Sequence, residues 1–192
     1  MIVYLVRHTD YANPKNILPG RLPVKLSTLG VKQARKLRDF FKDKQINLIY
    51  SSAVLRCKQT AKIIANNKIP IKYDKRLLET LSAYQGYWKN DWSYFFGFTK
   101  ELGGETNQNV QDRMVDFWHN LNFDSNRNLI IISHGDPIYF LYQYLKKQPL
   151  IAQDDLNPPK DEYPSKGSVI KIEIVRGKVV NICLPITNDK LK

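Results

Sequence analysis

The sequence predicts an α/β protein built on a largely parallel sheet. Three observations carry this. Ile2–Thr9 is a continuous apolar run that empties into Arg7-His8, the pattern of a strand covered on both faces. Leu129–Ile132 is a second such run, and it ends in Ser133-His134-Gly135. Elsewhere short strand-forming runs alternate with segments of helical spacing, as repeated βαβ units do.

Taken in order, the first strand, Ile2–Thr9, gives way to Asp10–Leu26, a polar stretch punctuated by Pro and Gly that reads as a loop. Ser27 or Thr28 then caps a helix with Ala34, Leu37 and Phe41 at helical spacing. Ile46–Tyr50 is a short strand, and Ser51-Ser52 supplies the next N-cap. The helix Ala53–Asn66 carries Val54, Cys57, Ala61, Ile64 and Ala65 on one face, which makes Cys57 a small core residue. Arg56 lies off that face, near the strand end. Ile71–Tyr73 is a brief strand leading to Leu77-Leu78-Glu79-Thr80.

Tyr84–Phe98 is dense in aromatics and ambiguous in period: a substrate flap, a partner surface and a core helix all suit it. Gly103-Gly104-Glu105-Thr106 breaks the chain before the helix Gln108–Asn122, which holds Val110, Met114, Phe117 and Leu121 in register. After the strand Leu129–Ile132, Asp136 as cap and Pro137 at the first position start a helix with Ile138, Leu141, Tyr142 and Leu145 apolar. Ile151–Gly167 is an aperiodic loop. Ser168–Val175 and Val179–Leu184, joined by Arg176-Gly177-Lys178, form a β-hairpin. No linker divides the chain, so a single domain over residues 1–192 is expected.

The bulk properties exclude several classes. A hydrophobic share of 43% and a charged share of 25% are ordinary for a globular protein. No apolar run approaches the roughly 18 residues a membrane-spanning helix needs. Met1-Ile2-Val3-Tyr4 lacks the basic start of a signal peptide, and Cys57 and Cys183 are isolated thiols, so a reducing, cytoplasmic location is expected. The net charge of +12 raises nucleic acid as a partner. Its lysines are scattered along the chain, with no zinc or helix-turn-helix pattern, so nucleic acid is disfavoured and an anionic small substrate preferred.

Ligands in open α/β sheets gather at the carboxyl ends of strands, where Arg7, His8, Arg56, Glu79 and His134 would converge. Two Arg and two His suit a dianion, because guanidinium forks match phosphate oxygens and a helix N-terminus adds backbone donors. A neutral His attacks phosphorus, the second His stabilises the transferring group, and a carboxylic acid protonates the departing alkoxide. Nothing resembles a carboxylate cage for magnesium, so phosphoryl transfer without metal or other cofactor is favoured.

These residues resemble the histidine phosphatase superfamily, the phosphoglycerate mutase-like fold, along Ile2 to about Leu145. Leu5-Val6-Arg7-His8-Thr9 looks like its Arg-His-Gly signature. Gly20-Arg21, Leu26-Ser27 and Gly30 with Gln33-Ala34 match the segment that follows, and Tyr50 to Ala61 resembles its second arginine helix. Leu78-Glu79 looks like its acid position, Gly104-Glu105-Thr106 its Gly-Glu-Ser element, and Ser133-His134-Gly135 its second histidine. The resemblance implies a three-layer α/β/α sandwich. It also implies a phosphohistidine at His8, phosphoryl binding by Arg7, Arg56 and His134, and Glu79 as proton donor. Arg21, Gly135 and an Asn complete the expected binding set. Thr9 stands where Gly is usual, and Pro14 stands at the usual Asn position, leaving Asn13 or Asn16 for that contact.

The short stretch Thr80–Gly103 between the acid and the Gly-Glu element favours a phosphatase, with water as acceptor, over a closed mutase pocket. The expectation is therefore a phosphatase acting on a small phosphorylated substrate, as a monomer or homodimer. The alternatives are a cofactor-dependent phosphoglycerate mutase or other phosphomutase, and a non-catalytic member that binds a phospho-ligand or partner.

Overall fold

The computed structural model describes residues 1–87, 103–123, 127–152 and 158–191. Its elements are, in chain order, β1 (Ile2–Arg7), α1 (Thr28–Phe41), β2 (Ile46–Ser51), α2 (Leu55–Ala65), β3 (Ile71–Tyr73), α3 (Asn107–His119), β4 (Asn128–Ser133), α4 (Gly135–Leu145), β5 (Val169–Val175) and β6 (Lys178–Ile182). The six strands form one sheet in the order β3-β2-β4-β1-β5-β6. The first four are parallel, and the expected hairpin β5–β6 adds an antiparallel edge beside β1.

Alternate residues of the central strands feed two separate cores, as the period-2 geometry of a strand requires. Val3, Leu5, Leu129 and Ile131 face α3 and α4, where Met114, Phe117, Ile138 and Leu141 meet them. Tyr4, Val6, Ile130 and Ile132 face α1 and α2, against Leu37, Phe41, Cys57 and Ile64. This is the α/β/α sandwich. Each of these fully buried aliphatic side chains contributes about 1.5–3 kcal/mol, so strands read as continuous apolar runs are the ones clamped on both faces. Cys57 is one of the core residues, and burial pushes its thiol up to about 12.

Several boundaries differ from the sequence expectation, and two differences matter for the site. Asp136 does not cap α4. His134 holds the N-cap position with extended backbone, and the helix begins at Gly135, which carries Asp136 into the first turn. Ser51-Ser52 does not cap α2 either, because Val54 occupies that place. Ser52 hydrogen-bonds His134 Nε2 at 2.9 Å instead. In both places the polar residues that composition favours as caps are turned toward the strand ends. Ser27 does cap α1, its Oγ accepting from Gly30 N at 3.0 Å. Thr106 caps α3 in a capping box with Asn109, so that helix starts at Asn107 and ends at His119.

Of Tyr84–Phe98, the described part is Tyr84 to Tyr87, a turn tied to the first loop by Gly86 N to Leu18 O (2.7 Å) and Leu18 N to Tyr87 O (3.0 Å). The flap-or-core question concerns residues 88–98, which lie outside the described residues.

Candidate active site

Three parallel strands end level with one another. Arg7 pairs in register with Ser133, and His8 N donates to Ser133 O at 3.0 Å. Ser52 N donates to Ile132 O at 2.9 Å. His8, Ser52 and His134 therefore follow the ends of β1, β2 and β4 side by side. The helix after β1 covers one face of the sheet and the helix after β4 the other, so the crevice opens between these two neighbours. A cavity of about 80 Å³ lies there, walled by Arg7, His8, Arg56, Glu79, Asp136 and Tyr163, with Tyr11, Gly20 and Thr80 beside them.

His8 is buried, with Nδ1 2.9 Å from Thr9 O and Nε2 accepting from Arg56 Nε at 3.0 Å. A carbonyl can only accept, so Nδ1 carries the proton and Nε2 keeps its lone pair. Burial, together with the positive charge of Arg56 and the neighbouring His134 and Arg7, holds His8 well below the usual histidine range. Its imidazole is therefore neutral. The sign is definite: a histidine whose pKa is lowered stays unprotonated as pH falls through its ordinary value. Histidine-selective NMR between about pH 8 and 5.5 should show His8 and His134 as neutral imidazoles throughout. Either ring titrating near its ordinary value would contradict this electrostatic picture.

Arg56 is the hub. It is fully buried, and Nη2 reaches Gly20 O (2.8 Å), His134 Nδ1 (2.9 Å) and Glu79 Oε2 (3.2 Å). Glu79 Oε2 is also 3.3 Å from His134 Nδ1, while Oε1 accepts from Thr80 N at 3.1 Å. His134, Arg56 and Arg7 outweigh burial and hold the Glu79 carboxyl well below the usual range. His134 is itself lowered, chiefly by burial.

Arg7 donates through Nη1 to Pro164 O at 2.8 Å, and its guanidinium lies 5.5 Å from the centre of the Tyr163 ring. Two buried polar atoms have no hydrogen-bond partner among the described residues and belong to side chains of this cavity wall: Arg7 Nε and Arg56 Nη1. Leaving such groups unpaired costs about 1–3 kcal/mol each, more where charged, so their convergence marks a place built for an oxygen-rich anion.

His8, Glu79 and His134 also present ligand atoms within 4.8 Å of one another, the donor set of a metal site. The Arg56 guanidinium lies within 3.2 Å of an atom of each. A cation seated there would have to displace it, so the cluster fits an anion held by Arg56 better than a metal.

The structure brings Arg7, His8, Arg56, Glu79, His134 and Gly135 together. A Cβ on Gly135 would run into Tyr163 Oη and lie 3.0 Å from Arg7 Cζ, so this glycine is needed for the guanidinium and the phenol to pack over the helix start. Gly135→Ala should push Arg7 aside and raise KM for a phosphomonoester by roughly tenfold or more, about the worth of one charged hydrogen bond, with a smaller change in Tm. An unchanged KM would mean that Arg7 does not hold substrate.

Two expected binding residues lie elsewhere. Asn16 is exposed, in a turn with φ +48, and Arg21 donates to Glu79 O (2.8 Å) and to Glu105 (2.8 Å). Glu105 also takes Arg113 at 2.9 Å and the backbone N of Leu81 at 2.9 Å, so Arg21 and Glu105 brace the segment that presents Glu79. Gln33 and Gln59 serve the first loop in the same way, accepting from Asp10 N (2.9 Å) and Leu26 N (2.8 Å). Sequence reasoning missed Tyr11 and Tyr163. Tyr163 sits in the aperiodic loop before β5, where no pattern distinguishes it.

The sequence model described as histidine phosphatase superfamily (branch 1) matches residues 3–180. A Hydrogenobacter thermophilus protein named putative phosphoserine phosphatase 2 is 30% identical over 154 residues, 71% of this chain and 74% of that one. The adenosylcobalamin/alpha-ribazole phosphatase of Escherichia coli K12 is 22% identical over 171 residues, 79% and 82% of the two chains. Bacillus stearothermophilus YhfR shares the fold, with a TM-score of 0.79 at 23% identity over 97% of this chain and 98% of that one. No helix among the described residues is long and apolar enough to cross a membrane.

Proposed function

Because the chain belongs to the histidine phosphatase superfamily, branch 1, we propose that it is a metal-independent phosphatase that hydrolyses a small phosphomonoester through a phosphohistidine on His8. One observation carries the reading: His8, whose unprotonated Nε2 is held by Arg56 Nε, lines the same small cavity as the partnerless donors of Arg7 and Arg56. The names of the two relatives, a putative phosphoserine phosphatase and an alpha-ribazole phosphatase, point the same way for substrate class.

In this mechanism Nε2 gives up its hydrogen bond from Arg56 Nε and attacks phosphorus, the ester P–O bond breaks, and the leaving oxygen takes a proton from a carboxyl group. The resulting carboxylate then takes a proton from water. That water attacks phosphorus, the P–N bond returns its electron pair to Nε2, and inorganic phosphate leaves. Arg7, Arg56 and His134 hold the phosphoryl oxygens as charge moves from the leaving to the entering oxygen. Glu79 is the proton donor that the resemblance implies, and Asp136 is a second carboxyl on the same wall.

The test is turnover of p-nitrophenyl phosphate with a chelator present, followed by a screen of phosphorylated metabolites. Conversion of phosphoglycerate that depends on bisphosphoglycerate would make the protein a mutase instead. Phosphate-ester binding without turnover of any ester would leave it a binder.

A further inference from the structure

We propose that Tyr163, in the loop before β5, is a positioning residue for substrate: its ring, with the carbonyl of Pro164, holds the Arg7 guanidinium at the cavity wall, so that Arg7 meets the phosphoryl group already in place. The proposal rests on the phosphatase reading, in which Arg7 binds phosphoryl oxygens. It starts from a contrast between the two arginines of the cavity. Arg56 is paired with the Glu79 carboxylate at 3.2 Å. Arg7 forms no ion pair among the described residues. Neutral groups hold it instead. Nη1 donates to Pro164 O at 2.8 Å, and Cζ lies 5.5 Å from the centre of the Tyr163 ring, within cation–π range. Arg7 Nε is buried and has no partner among the described residues.

The loop that carries both groups is fastened at its two ends. Tyr163 N and Glu162 N donate to Pro159 O at 3.0 and 2.9 Å, which closes a turn just before the ring. Gly167 N donates to the carbonyls of Arg7 (3.2 Å) and His8 (3.1 Å), and Arg7 N donates to Ser168 O at 3.3 Å. The loop therefore returns along the strand end that presents Arg7. The ring itself is wedged. Its centre lies 5.5 Å from that of Tyr139 on α4, and Oη donates to Asp136 Oδ1 at 2.7 Å. Gly135, lacking a Cβ, leaves the space that the phenol and the guanidinium share.

Neutral holding suits an arginine that has to bind a dianion. A carboxylate partner would cancel part of the charge and compete with the phosphoryl group for the same N–H donors. An aromatic face and a carbonyl fix the planar fork and leave its charge for the ligand. A loose arginine side chain also has many rotamers to lose on binding, whereas one already held loses few. The Tyr163 ring thus acts through Arg7, by lowering the cost of binding rather than by adding a contact to substrate. Affinity for the phosphoryl group, more than the rate of the chemical step, is what it controls.

The experiment compares Tyr163→Leu and Tyr163→Met, which remove the ring, with Tyr163→Phe, which removes only the hydroxyl. Two ring-less variants are used so that the comparison does not depend on one of them folding. For each, KM and kcat on p-nitrophenyl phosphate, the Kd of inorganic phosphate and Tm are measured. The ring-less variants should raise KM and the phosphate Kd by roughly tenfold, the order of one charged contact, with kcat falling much less. Tyr163→Phe should recover most of that loss. In an Arg7→Ala background, Tyr163→Leu should weaken phosphate binding by no more than about twofold, since no guanidinium is left to hold. An unchanged phosphate Kd in the ring-less variants overturns the proposal. So does a full loss in the Arg7→Ala background, which would mean that the ring meets the ligand directly. Tyr163→Phe as weak as Tyr163→Leu overturns it too, and would place the effect in the hydroxyl and Asp136. A wild-type protein that binds phosphate but hydrolyses no ester ends the phosphatase reading, while the phosphate affinities still decide the clamp. One that binds no phosphate overturns both.

Discussion

His8→Ala should abolish turnover of alkyl and aryl phosphates alike, by on the order of 10⁴–10⁶-fold, the range seen when a nucleophile is removed from an intact binding site. The loss is blind to leaving group because every ester must pass through the same N–P bond. In the same variant, the phosphate that wild-type protein carries after brief exposure to substrate should disappear. That phosphate should be labile in acid and stable in base, the behaviour of a phosphoramidate and the reverse of a serine ester. Binding should persist, since Arg7 and the partnerless edge of Arg56 come from other positions. His8→Ala should thus still bind inorganic phosphate while turning nothing over. A phosphate that remains on the His8→Ala protein would place the nucleophile elsewhere and would falsify the assignment.

Much of the site could be read in the sequence because its residues stand at strand ends. A strand covered on both faces has to be apolar throughout, so the polar residues that end it stand out sharply, as Arg7-His8 and Ser133-His134 do. Arg56 was legible as a cation beside the start of α2, although its complete burial was not: nothing in a helical pattern tells that a guanidinium at its edge is roofed by Gly20 and the loop before it. The missed features share a cause. Tyr163 and Tyr11 come from irregular chain, which has no period to read. Ser52 and Asp136 were taken for helix caps, since a short polar residue before a helix satisfies composition equally well as a cap or as a wall of the pocket. Arg21 looked like a phosphate ligand, and only its partners Glu79 O and Glu105 reveal a brace.

Arg56→Lys should be almost as damaging as losing the nucleophile, although it keeps the charge. The guanidinium of Arg56 serves four groups at once: His8 Nε2, Gly20 O, His134 Nδ1 and Glu79 Oε2. It also has Nη1 left over for substrate. A lysine ammonium has three donors on one atom and cannot reproduce a planar fork, so the substitution is not conservative here. Removal of one preorganised donor to a developing charge costs roughly 10²–10³-fold in kcat, and Arg56→Lys disturbs the His8 and His134 contacts as well, so a loss of about 10³-fold or more is expected.

Arg56→Met separates charge from geometry. Without this cation, the charge of Glu79 loses its ion-pair partner and keeps only the more distant Arg7, and breaking such a buried pair typically costs about 3–5 kcal/mol of stability. Burial and, after it, Arg56 hold His8 low, so in Arg56→Met the His8 ring should move up toward the ordinary histidine range. In Arg56→Lys the positive charge remains, and His8 should stay neutral while activity is lost. The two variants together therefore distinguish the roles: inactive with a neutral His8 means that the fork positions the phosphoryl group. If Arg56→Lys instead kept most of its activity, Arg56 would act by charge alone, and the fourfold hydrogen bonding at the hub would be a matter of folding rather than catalysis.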